Sequence, residues 1–423
     1  MVLKDEGTST YLLRYLDTEL DALMGAGTAI SIEGPRSIGK TETASRRSDI
    51  VFKLDDPITA QLFEADTRLQ LTRKNRVCID EWQVYPPVWN AVRRLIDEQT
   101  DHEFLLTGSA KLPHSVSRHT GAGRIITLRM RPLALSERNG TKPTVFISRL
   151  FEGDAQIEGT SDLRLPDYAQ QICASGFPNI NELSPRRQRA ALNGYVENLL
   201  THDLPENDVS IRSPFSLLAW LKSYAAASST TASYNAILDG ATAGDTDKPT
   251  KTTTQRYRDA LSSLWILDPV PAWIPNISPF TRLTTGPKHQ ICDPAIAAQV
   301  LGITPQLLTS ATSGAGKIFG QLFESLATLT VRGAGAACEA NTFHFRTRAG
   351  EQEVDLILER YDGKILAFEV KLSGLVNDSD VRHLHFLGNK LGDRLVDKII
   401  ITTGPQAFRR NDGVAVVPLA LLG

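Results

Sequence analysis

An α/β chain of several domains is what the sequence predicts, and three observations carry that expectation. The chain has 423 residues, more than one small core organises, so two or three domains are expected. Over residues 1–140, short apolar runs ending in glycine or acid alternate with segments of helical spacing, as in a parallel sheet covered by helices. A second series of strand-like runs, between residues 343 and 418, is interleaved with helical segments and predicts another α/β unit.

Composition is that of an ordinary globular protein. The net charge of −2 gives no overall basic signature for nucleic acid, although a local basic face is compatible with it. Cys78, Cys173, Cys292 and Cys338 lie far apart with no C-x-x-C pair, which reads as reduced thiols of a cytoplasmic protein and not as a zinc site. The beginning of the chain lacks the apolar stretch of a signal peptide, and no run reaches transmembrane length, so no membrane partner is expected.

In chain order, Tyr11 to Met24 carries apolar residues at helical spacing and ends at Gly25-Ala26-Gly27. The apolar run Ala29-Ile30-Ser31-Ile32 then leads into Gly34, Pro35, Arg36, Ser37, Ile38, Gly39, Lys40 and Thr41, which reads G-x-x-x-x-G-K-T. Strand, glycine-rich loop and helix start together make a P-loop. Its glycines let backbone N–H groups turn toward phosphate oxygens, and the helix start adds its positive dipole end. Residues Gly34 to Glu42 are therefore the expected nucleotide cradle. Lys40 would reach the β- and γ-phosphates, and the Thr41 hydroxyl would ligate Mg2+.

Val51–Leu54 reads as a second strand. Arg76-Val77-Cys78-Ile79-Asp80-Glu81 is a buried strand ending in two acids, about forty residues after the P-loop. Asp80 is expected to hold the magnesium through water, and Glu81 to polarise the attacking water. Pro86-Pro87 leads into a helix over Val88–Gln99. Glu103 to Ser109 reads as a third strand with a polar end, where Thr107 and Ser109 are candidates for a side chain that senses the γ-phosphate. Arginines follow in Arg118, Arg124, Arg129 and Arg131. Arg124, and after it Arg118, is the candidate to stabilise charge on the transferred phosphoryl group, from the same or a neighbouring subunit; the alternative is an ion-paired surface arginine.

The order of P-loop, Ile79-Asp80-Glu81-Trp82-Gln83, Leu106-Thr107-Gly108-Ser109, Gly121-Ala122-Gly123-Arg124-Ile125 and Arg131–Glu137 resembles a large prokaryotic AAA-like ATPase family whose members carry a C-terminal domain of unknown function. Ser175-Gly176-Phe177-Pro178, Tyr195-Val196-Glu197-Asn198 and His202-Asp203-Leu204-Pro205 agree with it, so the likeness runs through nearly the whole chain. The resemblance implies ATP as the nucleotide, and it leaves the biological role open.

Lys142 to Asp167 has weak periodicity and reads as a connector. Pro185 opens a helix running to Leu200. Phe215–Ala227, Ser233–Leu238 and Thr252–Leu264 read as three helices, and Trp265–Asp268 with Val270–Trp273 as a short hairpin. Three helices and a hairpin predict a winged helix, with Lys251, Gln255, Arg256 and Arg258 facing DNA. Winged helices also serve as protein contacts.

Further on, a helix over Ile318–Thr330 carries Glu324. Strands follow at Phe343–Thr347, Glu353–Leu358 and Ile365–Lys371. Asp on one strand and Glu-x-Lys on the next resembles the restriction-endonuclease-like, PD-(D/E)xK fold. Glu369 and Lys371 share a face because strand side chains alternate, and Asp355 can reach the same point from its neighbour. Asp355, Glu369 and Glu324 would bind magnesium, and Lys371 would activate a water. The alternative is an inactive nuclease-like fold kept for interaction.

The expected layout is an ATPase domain over 1–140, a connector over 141–185, a helical winged-helix region over 186–280 and the nuclease-like domain over 281–423. The expected function is ATP hydrolysis that controls an action on DNA. Its alternative is a nucleotide-dependent switch or scaffold whose C-terminal domain binds a protein partner. Self-assembly into a homo-oligomer is compatible with either.

Overall fold

The computed structural model describes residues 11–109, 123–204, 214–242, 249–274, 286–347 and 350–423. Two separate sheets organise them. The first runs through β1 (Ala29–Glu33), β2 (Ile50–Lys53), β3 (Arg76–Asp80), β4 (Glu103–Gly108) and β5 (Ile125–Arg129). Its order is β2-β3-β4-β1-β5, with every pairing parallel. Parallel strands need crossovers, and the helices Lys40–Ser45, Pro57–Leu71 and Pro87–Asp97 supply three of them. The central strands are buried on both faces, which is why their sequences read as apolar runs and not as alternation. All strands end on the same edge, so Glu33, Asp80 and Gly108 meet there.

The second sheet comprises β6 (Ala340–Arg346), β7 (Glu353–Arg360), β8 (Ile365–Val370), β9 (Leu395–Thr402), β10 (Phe408–Arg409) and β11 (Ala415–Pro418), in the order β10-β11-β9-β8-β7-β6. β6, β7 and β8 form an antiparallel meander, and β8 pairs in parallel with β9. The helix Asp378–Leu391 makes that crossover. Leu356, Leu358, Leu366 and Phe368 pack in one core with Phe319 and Phe323 of the long helix Ala315–Ala336. Ile357, Ile365 and Ala367 pack in another with Val381, Leu384 and Leu387. Alternation along each strand thus feeds two cores.

Between the sheets, the helices Leu165–Ala174, Pro185–Asn198, Pro214–Ala226, Pro294–Leu301 and Ala315–Ala336 share one apolar core. Two expectations are corrected here. Residues 141–185 are not a connector: Val145 bridges Leu422, Thr160 bridges Gln406, and Val145, Ile147, Leu150 and Phe151 are fully buried. The helix Ile147–Glu152 has six residues, too few to show a helical period in sequence. Nor do Trp265–Asp268 and Val270–Trp273 pair with each other. Leu267 bridges Ile291 and Val270 bridges Lys288, both antiparallel, so the second arm is the segment 288–291, and Ala272 instead joins β6 at His344. This arm belongs with the middle helices, across the boundary expected at residue 280.

A buried carboxylate ties the regions together. Asp268 accepts from Arg131 at 2.8 Å, lies 3.3 Å from Arg129 and 3.1 Å from Arg332, and its backbone oxygen accepts from Arg332 at 2.7 Å. Burial alone would raise its pKa, but Arg129, Arg131 and Arg332 hold it well below the usual carboxylate range.

Candidate functional sites

The P-loop leaves β1 at Glu33. A Cβ on Gly34 would stand 2.3 Å from the Met130 carbonyl oxygen, so only glycine fits there. Ser37 and Gly39 take positive φ (64° and 95°), which turns the loop before Lys40 opens the helix. The loop is braced from behind. Buried Arg14 donates to Ile38 O at 3.0 Å and to Arg131 O at 2.6 Å. This brace was not legible in the sequence, because nothing local to Arg14 marks it.

Lys40 is buried, and its Nζ donates to Gly34 O at 3.0 Å and Pro35 O at 2.6 Å, two neutral carbonyls of its own loop. Burial lowers its pKa to about 8, with Glu81 and Asp80 opposing the shift. Thr41 Oγ1 donates to Asp80 Oδ1 at 2.8 Å. The expected metal pair is thus adjacent. A hydroxyl and one carboxylate, completed by phosphate oxygens and waters, is the donor set magnesium takes in such sites. The residues therefore fit ATP and Mg2+.

Thr107 differs from its expected role. It is fully buried and donates to the same Asp80 oxygen, so its hydroxyl is engaged in positioning Asp80. Ser109 is the hydroxyl turned to Glu81, donating to its Oε2 at 3.1 Å. Gln83 donates to the same Glu81 oxygen. Glu81 adopts φ 50°, ψ 45°, uncommon for a residue with a side chain and seen mostly where the surroundings impose it. A Cβ on Gly108 would come 2.9 Å from Gln83 Oε1 and Trp82 Nε1, so this corner is closely packed.

Arg124 is also corrected. Ile125 is level with Ala29 and Arg129 with Glu33, so Arg124 lies at the edge of the sheet opposite the P-loop. It is half exposed and bonds Asp97 at 2.8 Å, which rules it out for the nucleotide of its own chain. Arg118 lies outside the described residues. Arg36 within the loop pairs with Asp203 from the middle region. The sequence marked His202-Asp203-Leu204 only as a landmark, since a contact across 167 residues leaves no local trace.

In the second sheet, Asp355 and Glu369 come opposite one another, one step beyond the Leu356–Phe368 pair. Glu369 hydrogen-bonds Asp355, and burial, followed by the Asp355 charge, pushes its carboxyl well above the usual range. Lys371 Nζ lies 3.4 Å from Glu369. Asp355 Oδ2 also accepts from Val370 N at 2.9 Å. Glu324 does reach the set from its helix, but its partner is a lysine that sequence reading passed over. Lys288 is 1% exposed, and its Nζ lies 2.8 Å from Glu324, 3.0 Å from Asp355 and 3.8 Å from Glu353. Burial would lower the Lys288 pKa, yet Asp355 and then Glu324 outweigh it and hold the ammonium above its ordinary value. Burial and Asp355 push Glu324 up to about 8. Among the described residues, no group of three or more His, Cys, Asp or Glu is arranged to hold a metal ion. Asp355, Glu369 and Glu324 are brought together, with Lys288 Nζ against Glu324 and Asp355.

Residues 26–139 match the AAA domain family. That match supports nucleotide-binding, ATPase-type chemistry for the first sheet. Residues 165–307 match a domain of unknown function (DUF8612), and residues 319–422 another (DUF4143). Two uncharacterised proteins, one from Mycobacterium tuberculosis and one from Mycobacterium bovis, are each 26% identical over 401 residues, spanning 92% of this chain and 79% of theirs. No helix among the described residues is long and apolar enough to cross a membrane.

Proposed function

We propose that the chain binds and hydrolyses ATP at the P-loop edge of the first sheet, and that this cycle controls an action on DNA by the middle region. The observation that carries the ATPase reading is the joint convergence of Thr41 and Thr107 on Asp80, with Glu81 beside it held by Gln83 and Ser109. In this reading Lys40 leaves its two loop carbonyls for the triphosphate. Thr41 and Asp80 hold magnesium, which would neutralise phosphate charge. Glu81 orients a water in line with the γ-phosphate. Phosphate release by wild type, Lys40→Ala and Glu81→Gln tests it. Lys40→Ala is expected to lose nucleotide binding, and Glu81→Gln to bind ATP while turning over slowly. Equal rates in all three would end the reading.

The DNA part rests on the helix Lys251–Ser263. Lys251, Gln255 and Arg256 are exposed on it, as side chains reaching a groove must be, whereas Arg258 is half-buried and stacks 4.7 Å over the Tyr234 ring. Anisotropy with a labelled duplex would detect binding that weakens with salt and drops in Lys251→Glu/Arg256→Glu. Salt-independent or unaltered binding would remove DNA from the proposal.

For the C-terminal domain, the order helix, three antiparallel strands, helix, parallel strand supports a restriction-endonuclease-like core. Lys288 among its acids favours the reading in which this core serves as a scaffold and does not cut.

A further inference from the structure

An acidic set on a nuclease-like sheet ordinarily needs a divalent cation, because carboxylates brought within a few ångströms repel one another. Here the neutralising charge comes from inside the chain. Lys288 Nζ sits within 4 Å of Glu324, Asp355 and Glu353. Lys371 lies against the fourth acid, Glu369.

The lysine is not on a loose segment. Lys288 N donates to Val270 O at 2.9 Å, and Val270 N donates back to Lys288 O at 2.8 Å. His289 N donates to Thr230 O, and Ser229 N donates to His289 O, both at 2.8 Å. Gln290 donates to Ser229 Oγ at 3.0 Å and accepts from Ser325 at 2.5 Å. With the backbone fixed on both sides, the 1%-exposed ammonium is held against side chains that are 15% (Glu324, Asp355) and 35% (Glu353) exposed.

We propose that Lys288 permanently replaces the divalent cation of this acidic set. The set then holds no catalytic metal, and works as a clasp that joins the arm 288–291 of the middle region to the C-terminal sheet. This clasp depends on where Lys288 lies and not on ATP hydrolysis. Metal uptake by the cluster would overturn it while leaving the ATPase reading untouched.

The test uses the full chain, free of nucleotide, in an Asp80→Asn background so that the P-loop contributes no metal site. Mn2+ is titrated by electron paramagnetic resonance, and melting midpoints are recorded alongside. The Asp80→Asn chain is expected to bind no Mn2+ at the cluster. Adding Lys288→Met is expected to lower the midpoint by on the order of 10 °C, because buried acids lose their partner, and millimolar Mn2+ to recover part of the loss. Adding Lys288→Met with Asp355→Asn is expected to regain most of the midpoint without Mn2+. Should the Lys288→Met chain fail to fold, recovery of folding on adding Asp355→Asn supports the clasp equally. Mn2+ bound by the Asp80→Asn chain and lost on adding Asp355→Asn would overturn the proposal. So would a Lys288→Met chain that melts unchanged, or a double variant that regains nothing.

Discussion

At the first sheet, the ammonium of Lys40 rests on two neutral carbonyls, Gly34 O and Pro35 O, and the acids Asp80 and Glu81 are held by hydroxyls and an amide. At the second sheet, the ammonium of Lys288 rests on carboxyl oxygens of Glu324 and Asp355. The ingredients are alike: acids at a strand end, a buried lysine, a helix close by. Their pairing differs. A lysine parked on backbone can move to a triphosphate at the cost of two neutral hydrogen bonds, and the acids beside it keep their charge for a hydrated cation. A lysine locked onto acids has spent that charge already, and leaving would strand two mostly buried partners, Glu324 and Asp355. On the proposed reading, where the ammonium rests separates the site open to chemistry from the one that is closed.

The largest effect expected on this comparison is at the open site. Glu81→Gln should slow turnover by roughly 10²–10⁴-fold with ATP binding kept, as measured by single-turnover phosphate release. A small change would mean that the water is oriented from elsewhere. Next comes Lys288→Met, expected to destabilise the chain by about 3–5 kcal/mol in denaturant titrations, since one partner of a buried ion pair is removed. Thr107→Val should raise the Mg2+ concentration needed for half-maximal turnover by about 10–100-fold, the usual scale for losing an outer partner of a metal ligand. An unchanged Mg2+ requirement would move Thr107 back toward the phosphate.

Two weaker effects sharpen the contrast. Burial lowers the Lys40 pKa to about 8, below the ordinary lysine value of 10.5. Between those values the folded chain has lost a proton that the unfolded chain keeps, so this group makes stability rise with pH across that window. ATP needs the ammonium, so its affinity should fall above pH 8, with a proton taken up on binding near pH 8.5. Calorimetry in two buffers of different ionisation heat reads that proton directly; constant affinity to pH 9.5 would show that Lys40 stays charged. Smallest of all, Arg124→Ala should leave ATP affinity unaltered, because its side chain stands at the far edge of the sheet.

What the sequence showed follows from how far each feature reaches along the chain. The P-loop and the strand ending in Asp80-Glu81 are local: a strand, a glycine-dictated turn and a helix start lie within a dozen residues, so pattern alone exposes them. Asp355 and Glu369 were legible because alternation and a hairpin fix their facing. Lys288 was not, since it meets its acids across 36 and 67 residues through an arm that pairs with Val270. Arg124 fits the alternative of an ion-paired surface arginine, since it precedes β5 and so stands at the sheet edge away from the P-loop. The stretch around Val145–Phe151 looked like a linker because one short helix and one bridge, each anchored by residues beyond 400 or by the long helix, have no period of their own to display.

The three guanidinium groups around Asp268 bear on how the chain can be taken apart. Two come from the strand beside the P-loop and its extension, one from the long helix under the second sheet, and the carboxylate from the stretch between. Cutting the polypeptide near residue 140 or 280 would not yield tidy fragments, because the Asp268 cluster and one apolar core join residues on both sides of each cut. A limited protease nick should leave the products comigrating on a native gel and parting only in denaturant.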